Sequence, residues 1–229
     1  MRTSVKNEKA KRKYFRWLQG AQGFSKATIM AIQKAIWLYE DYSIFSDFAT
    51  FSQKKAMGFK DWLGDRRHRN KPISVTTQYH YLRHLHNFFT WLSDQPGYKS
   101  RISLDNASYL CLEKKKVREA LAPKRVDFPS LDYVIKLVNS IKIRTVIDRR
   151  DRALIAFLLL SGMRDKAICT LPIGCFYPET LEINQDPSSG VETKFGKANT
   201  SFLLNFNKAL LTCVLDWTEY LKMERLFGS

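Results

Sequence analysis

The chain has 229 residues and 45% hydrophobic content, so it is large enough for one big domain or two modest ones and is not a globally disordered protein. Its 38 Lys and Arg residues against 22 Asp and Glu residues give a formal charge of +16, which indicates a polyanionic partner, either nucleic acid or an acidic membrane surface. The longest apolar run, residues 153–160, is too short to span a bilayer, and the basic N-terminus lacks the apolar stretch of a signal peptide.

The sequence lacks the patterns of several common enzyme classes. The four cysteines show no metal-ligand spacing and fit a reduced, cytoplasmic compartment. Gly-rich phosphate loops, H-E-x-x-H and Ser/His/Asp sets are also absent from the sequence. We therefore expect a cytoplasmic protein with no cofactor, no metal and no membrane partner.

The positive charge lies in the N-terminal half. Residues 1–125 contain 25 Lys and Arg residues but only 10 Asp and Glu residues, whereas residues 126–229 are nearly neutral. Apolar residues at helical spacing predict a basic arm or helix over 6–19 and three helices, about 25–40, 50–63 and 74–92, the first and last of them capped by Ser25 and Ser74. A basic loop, 64–72, precedes the last of these helices.

The helix over 74–92 has two unlike faces. Its core face contains Tyr79, Leu82, Leu85, Phe89 and Leu92, and its opposite face contains Thr77, His80, His84 and Asn87 with Arg83 beside them. The polar face and the basic clusters of this half favour contact with DNA. The candidate DNA-contacting residues are Lys11, Arg12, Lys13, Lys26, Arg66, Arg67, Arg69, Lys71, Thr77, His80, Arg83, His84 and Lys124.

The second half predicts a mixture of helices and strands. A helix from Pro129 to about Ile141 precedes a nearly all-apolar helix, about 147–161, which should be buried on most sides and which Gly162 terminates. A short helix follows, and then the apolar period changes to two over "TLEIN", "VETK" and "TSFLLN", which predicts three strands. An amphipathic helix from about Lys208 to Arg225 closes this α+β region.

Three stretches resemble motifs of the tyrosine recombinases, the phage-integrase family. The segment "RDRALIAFLLLSGMRDKAICTL" resembles the first catalytic-arginine box, in which an apolar helix is followed by T-G-[LM]-R and a short helix. The segment "TKFGKANTSFLL" resembles the strand-turn-strand that carries the catalytic lysine, and "TTQYHYLRHLHNFFTWL" resembles the last helix of the core-binding domain. The order and spacing fit over about residues 10–225.

This resemblance implies a mainly α fold. A helical, SAM-like core-binding bundle would be followed by the first part of an α+β catalytic domain with a small antiparallel sheet. The implied domains are a basic N-terminal arm or helix (1–20), a DNA-binding core-binding domain (21–115), a linker (116–127) and a partial catalytic domain (128–229).

The resemblance also implies a chemistry. Arg164 would be the catalytic arginine and Lys194 the catalytic lysine, with Lys197 as the alternative. In this family a tyrosine attacks a DNA phosphodiester and forms a 3′-phosphotyrosyl bond without a metal, so fixed cations stabilise the added negative charge. Arginine suits this task because it is always charged and presents a planar fork of donors, while the lysine protonates the leaving 5′ oxygen. The implied activity is DNA integration and strand exchange on double-stranded DNA by a homo-oligomer, a tetramer on paired sites, in the full-length protein, as in mobile elements.

Two parts of the family pattern are not found after Lys194. Neither the second box, H-x-x-R, nor the nucleophilic tyrosine that follows it occurs between Lys194 and Ser229. His80–Arg83 matches H-x-x-R in letters but precedes Arg164, so chain order excludes it. We expect this chain alone to be inactive. Three hypotheses about the chain remain open. It is part of an active recombinase, it is a truncated or decayed integrase that only binds DNA, or, less favoured, it is a basic helical RNA-binding protein.

Overall fold

The structure, a computed structural model, describes residues 4–68, 70–123 and 126–227. It is mostly helical with a small three-stranded antiparallel sheet, which confirms the predicted fold class of a helical bundle followed by an α+β region. The chain divides into two compact units, Met1–Arg125 and Val126–Ser229, called here the N-terminal and C-terminal units. None of the described helices is both long and apolar enough to cross a membrane.

The described part of the N-terminal unit consists of helices and one short hairpin. The helices are α1 (Val5–Gly20), α2 (Lys26–Tyr42), α3 (Gln53–Asp65), α4 (Val75–Ser93), α5 (Leu104–Ser108) and α6 (Lys114–Leu121), and the hairpin pairs β1 (Arg67–His68) with β2 (Lys71–Pro72). Serine side chains begin four of the helices: Ser4, Ser25, Ser52 and Ser74 each accept a hydrogen bond from the backbone N–H three residues later. Each cap satisfies a donor that the first helical turn leaves unpaired.

Aromatic rings fill the core of this unit. The Phe51 and Phe89 rings stack with centroids 3.7 Å apart, and the Tyr39 ring meets Phe89 edge-on at 5.0 Å. Phe88 is also fully buried, against Tyr14 of α1, whereas Tyr79, which was predicted to lie on the core face, is only half-buried. The apolar stripe of α4 is shifted because α1 packs against it, a contact that the interpretation of α1 as a basic arm did not include.

A buried polar contact fixes α1 to the bundle. The Asn7 side chain donates to Glu40 Oε1 (3.3 Å) and to the Ser46 carbonyl (2.9 Å), and it accepts from the Phe48 backbone N–H (3.0 Å). Lys11 Nζ lies 2.6 Å from Glu40 Oε2. Asn7 and Glu40 are both almost inaccessible to solvent, so α1 is an integral helix of the unit.

The region predicted as a linker, 116–127, begins inside this unit. It is helical as far as Leu121, and α6 packs on α4 through the buried Ala120, whose carbonyl accepts a hydrogen bond from Thr76 Oγ1 (3.3 Å). The chain divides after Arg125.

The C-terminal unit combines four described helices with the three-stranded sheet. The helices are α7 (Leu131–Ser140), α8 (Val146–Ser161), α9 (Asp165–Cys169) and α10 (Lys208–Phe227), and the strands are β3 (Phe176–Tyr177), β4 (Glu182–Gln185) and β5 (Asn199–Phe202). The sheet is antiparallel in the order β3-β4-β5, with Ile183 opposite Phe176 on one side and Ser201 on the other. Its core lies where Leu160 of α8 and Leu210 of α10 meet Ile183.

The apolar helix α8 is less buried than its sequence predicts. Ala153, Ala156 and Leu160 form a buried stripe, but Leu154 and Leu158 are 37% and 36% exposed. The expectation of burial on most sides is therefore wrong. The partners of α8 lie along one stripe, because α10 runs beside it and the sheet is small.

Candidate functional site

A basic groove in the N-terminal unit runs between α2, the β1–β2 hairpin and the first half of α4. This cavity of about 680 Å³, called here the hairpin groove, is lined by Lys34, Trp37, Arg66, Arg67, Lys71, Thr77 and Tyr81, among others. It brings four of the predicted DNA-contacting residues together, namely Arg66, Arg67, Lys71 and Thr77. The groove thus gathers four cations around two aromatic rings.

The hairpin positions two of these cations. It replaces the predicted basic loop, and Asn70 makes its tight turn at a φ of 62°, a left-handed conformation that asparagine tolerates better than most residues. Arg67 and Lys71 extend from the paired strands and are exposed. Their charges are available to a ligand in the groove.

Arg66 is held more firmly than its neighbours. Its Nη1 donates to Asp41 Oδ2 at 2.9 Å, and its guanidinium lies over the Trp62 ring at 4.6 Å. Because part of its charge is compensated by Asp41, Arg66 shapes the groove wall, while Lys34, Arg67 and Lys71 carry its exposed positive charge.

Sequence reasoning missed Lys34 and Trp37. They lie one turn apart on α2, on the side that does not enter the core, and Trp37 is 47% exposed. An exposed tryptophan one turn from a lysine on a helix of a basic bundle is the signal that could have identified them.

The polar face of α4 divides into exposed and half-buried residues. His80 and Arg83 are exposed, and the Arg83 guanidinium lies 5.8 Å from the centre of the Tyr79 ring. Burial, together with the neighbouring charges of Arg83 and His80, lowers the pKa of His84 to about 4. His84 is therefore uncharged at neutral pH and can contact a ligand only through hydrogen bonds or packing.

The predicted residues of α1 do not join the hairpin groove. Lys11 contacts both Glu40 and Glu8 at 2.6 Å and its side chain is only 12% exposed, so its charge is used inside the protein. Arg12 and Lys13 are exposed on α1, and Lys26 is exposed at the start of α2. Arg69 and Lys124 lie outside the described residues.

In the C-terminal unit, Arg164 follows the end of α8. Gly162 terminates that helix in a left-handed conformation, φ 59°, and its N–H donates to the Leu158 carbonyl at 3.1 Å. Arg164 is the N-cap residue immediately before α9, and its side chain is exposed. The turn at Gly162 therefore sets where the arginine leaves the packed body.

The segment before Lys194 packs against α9. Val191 and Ala167 are buried against each other, the Glu192 backbone N–H donates to Thr170 Oγ1 (2.8 Å), and Lys166 forms a salt bridge with Glu192. Arg164 is three residues from Ala167, and Lys194 is three residues from Val191. The structure thus holds the short segments that carry Arg164 and Lys194 against each other.

Lys194 lies in a turn instead of a strand. The predicted strand "VETK", 191–194, does not form, and Lys194–Gly196 is a single 3-10 turn. The reason is the packing of Val191 on α9, which draws this segment away from the sheet, so that β4 pairs with β5 instead. Lys194 and Lys197 are both exposed, and Lys194 Nζ lies 5.1 Å from the centre of the Phe195 ring.

Comparisons with known proteins find similarity only among solved structures. No protein-family profile and no curated protein matches the chain. Among solved structures, the chain is similar to one described as "Crystal structure of XerA recombinase", with 16% sequence identity and a TM-score of 0.31. The match covers 95% of this chain and 64% of that one, so the chain spans about two thirds of that recombinase.

Proposed function

We propose that this chain binds double-stranded DNA through the hairpin groove and is part of a tyrosine-type site-specific recombinase. The observation that carries the proposal is the groove itself, in which Lys34, Arg67 and Lys71 present exposed positive charge around the exposed Trp37 and the half-buried Tyr81. Clustered cations release counterions from the DNA backbone, and this release supplies most of the affinity of such a surface. On this proposal the N-terminal unit contains the DNA-binding domain and the C-terminal unit is part of a catalytic domain.

Arg164 and Lys194 are the proposed catalytic groups. A phosphodiester under attack by a tyrosine gains negative charge, and a guanidinium held in place stabilises that charge without reorganisation. The turn at Gly162 and the packing of α9 on Val191 supply such a mount for Arg164. Lys194, on the adjoining segment, would give its proton to the leaving 5′ oxygen, with Lys197 as the alternative donor.

A salt titration of duplex affinity tests the binding proposal. Fluorescence anisotropy of a labelled duplex should give a log–log slope near −5, as expected for about six neutralised phosphates. Lys71→Ala should flatten the slope by about 1, because one phosphate contact is lost. An affinity that does not change between low and moderate salt contradicts the proposal.

A polypeptide that also contains the second arginine box and the nucleophilic tyrosine tests the catalytic assignment. There, Arg164→Ala should slow DNA cleavage by about 10²–10³ while duplex affinity changes little, because one contact among many is lost. Lys194→Ala should be rescued by a substrate with a 5′-thio leaving group, which needs no proton. Cleavage at an unchanged rate in Arg164→Ala rules out the assignment.

The second candidate function is DNA binding without cleavage, and the surroundings of Tyr220 favour it for these 229 residues. Tyr220 is the only tyrosine after Lys194, and its ring stacks on Trp217 (5.3 Å) with the Arg149 guanidinium over it at 4.9 Å. Desolvation and the neighbouring Glu224 raise the pKa of Tyr220, which makes it a poorer nucleophile. A denaturing gel with a nicked duplex should show no protein–DNA adduct, and an adduct that Tyr220→Phe abolishes excludes this candidate.

A further inference from the structure

A second cavity in the N-terminal unit continues the α2–α4 crevice beyond the hairpin groove. It has a volume of about 660 Å³ and is called here the aromatic pocket, after the rings of Tyr14, Trp17, Phe24 and Trp91 in its wall. The Tyr14 and Trp91 rings lie 4.9 Å apart and the Trp17 and Trp91 rings 6.1 Å apart. Trp17 and Phe24 are 37% and 40% exposed, so flat apolar surface is open to a ligand.

Two polar side chains of α4, Asn87 and Thr90, line the same cavity. Thr90, a lining residue, has a buried hydroxyl oxygen that makes no hydrogen bond within the described part of the chain. The neighbouring Asn87 is exposed, and its side-chain oxygen meets only His86 Nδ1, at 3.4 Å. A buried hydroxyl without a partner is destabilising in the free protein, and a ligand with a hydrogen-bonding edge would relieve that cost.

The position of the pocket relates it to the hairpin groove. The groove is lined by Lys34 and Trp37 of α2 and by Thr77 and Tyr81 of α4, whereas the pocket is lined by residues 28 and 32 of α2 and residues 83, 84, 87, 90 and 91 of α4. The two cavities therefore follow each other along the same two helices. Arg83, exposed on α4, also lines the pocket and can meet a phosphate beside it.

We propose that the aromatic pocket binds an unpaired nucleobase. A planar heteroaromatic ring can stack on the exposed faces of Trp17 and Phe24, and its edge carries donors and acceptors for Thr90 and Asn87. A purely apolar ligand would leave the Thr90 hydroxyl unsatisfied, and a small anion would gain nothing from four aromatic rings. Uncharged His84 adds a hydrogen-bonding group to the same wall. The base comes from DNA that lies in the hairpin groove, so the source of the ligand rests on the proposed function.

Three short duplexes of the same sequence test the proposal. One is fully paired, one carries a single bulged adenine, and one carries an abasic residue at the bulge, which keeps the backbone distortion without the base. The chain should bind the bulged adenine about tenfold more tightly than the abasic bulge, the scale of one base stacked on aromatic side chains. Equal affinity for the two bulged duplexes overturns the assignment of the base to DNA.

Thr90→Val is the variant that connects this difference to the pocket. It keeps the shape of the side chain and removes only the hydroxyl, so the preference should fall by about threefold, the scale of one hydrogen bond, while affinity for the paired duplex stays the same. Its melting temperature should not fall, because no hydrogen bond is lost; a purely structural hydroxyl would lower it. Asn87→Ala, on an exposed position, should weaken the preference in the same direction. If neither substitution reduces the preference for the bulged adenine, the proposal is overturned.

Two controls distinguish the pocket from the groove. Lys71→Ala, in the hairpin groove, should weaken binding of all three duplexes by the same factor and leave the preference intact. Adenosine monophosphate, followed by tryptophan fluorescence, tests the pocket without DNA. If the chain binds no duplex but binds the nucleotide in a Thr90-dependent way, the pocket stands and the proposed function fails. If neither the bulged base nor the nucleotide is preferred, the pocket does not bind bases.

Discussion

The two units of the chain use arginine and lysine in different ways. The N-terminal unit gathers Lys34, Arg67 and Lys71 around one groove, so that several exposed charges act together. The C-terminal unit places Arg164 and Lys194 singly, on two short segments held against each other by Val191 and Ala167. Many adjustable contacts provide affinity, whereas one fixed contact can stabilise a transition state. On the proposed function, the first unit binds DNA and the second contributes to the chemistry.

The largest expected effect is on the stability of the N-terminal unit, whose aromatic core supports the groove. Phe89→Ala removes a fully buried ring from its stack on Phe51 and should destabilise the N-terminal unit by about 3–5 kcal/mol. Chemical denaturation followed by tryptophan fluorescence measures this, since four of the five tryptophans, 17, 37, 62 and 91, belong to that unit. Leu158→Ala, at a half-exposed position of α8, is the control and should cost less than about 1 kcal/mol.

Lys11 sharpens the comparison within the N-terminal unit. Lys11→Ala leaves the buried Glu40 carboxylate without its cation and should destabilise the unit by about 2–3 kcal/mol, with little change in duplex affinity. Lys71→Ala should do the reverse, since Lys71 is exposed in the groove. Denaturation and anisotropy on both variants measure the two effects. If the folded Lys11→Ala variant loses DNA affinity, Lys11 contacts DNA and this distinction is wrong.

Alkaline pH should lower the free energy of unfolding of the N-terminal unit by a smaller amount. Burial raises the pKa of Tyr14 from 10.0 to about 12 and raises the pKa of Tyr39 as well. Above pH 10 the unfolded chain releases these protons while the folded unit keeps them, so stability that is present below pH 10 falls as pH rises toward 12. For Tyr14 the loss is about 1.4 kcal/mol per pH unit. Denaturation midpoints between pH 8 and 11 should fall less in Tyr14→Phe than in the native chain.

The smallest expected loss of stability comes from a substitution in the turn at Gly162 that positions Arg164. Gly162→Ala introduces a side chain at a φ of 59° and should destabilise the C-terminal unit by about 1 kcal/mol. Gly174→Ala is the matched control, because its added carbon meets no atom within 4 Å and its φ is not in the left-handed range, so its effect should be a few tenths of that. The fluorescence of Trp217, the only tryptophan of that unit, measures both. Equal effects would mean that the turn does not need glycine.

The N-terminal unit could be predicted from sequence more fully than the C-terminal unit. Serine caps and helical spacing locate α2 and α4 within a few residues, because both signals are local. The burial of Lys11 could not be predicted, because it depends on Glu40, which is 29 residues away in the chain. The hairpin at Lys71 and the groove it forms depend on a turn that the basic composition of 64–72 concealed.

The position of Lys194 shows the same limit in the C-terminal unit. Alternation in "VETK" favours a strand, but Val191 packs on Ala167 instead, and this contact forms only in the folded unit. The end of α8 at Gly162 was predictable, because a glycine after an apolar helix is a local signal. The segments that carry Arg164 and Lys194 adjoin each other through tertiary contacts, which the sequence does not reveal.

The most direct test of the central claim compares two pairs of charge reversals. Arg67→Glu with Lys71→Glu changes the hairpin groove, and Lys136→Glu with Lys222→Glu makes the same change in net charge on exposed positions of α7 and α10. Duplex affinity at moderate salt should fall about a hundredfold for the groove pair and less than about threefold for the other pair, because Arg67 and Lys71 meet phosphates in the proposed complex whereas Lys136 and Lys222 do not. Equal losses would show that affinity follows total charge, and would contradict a groove that binds DNA.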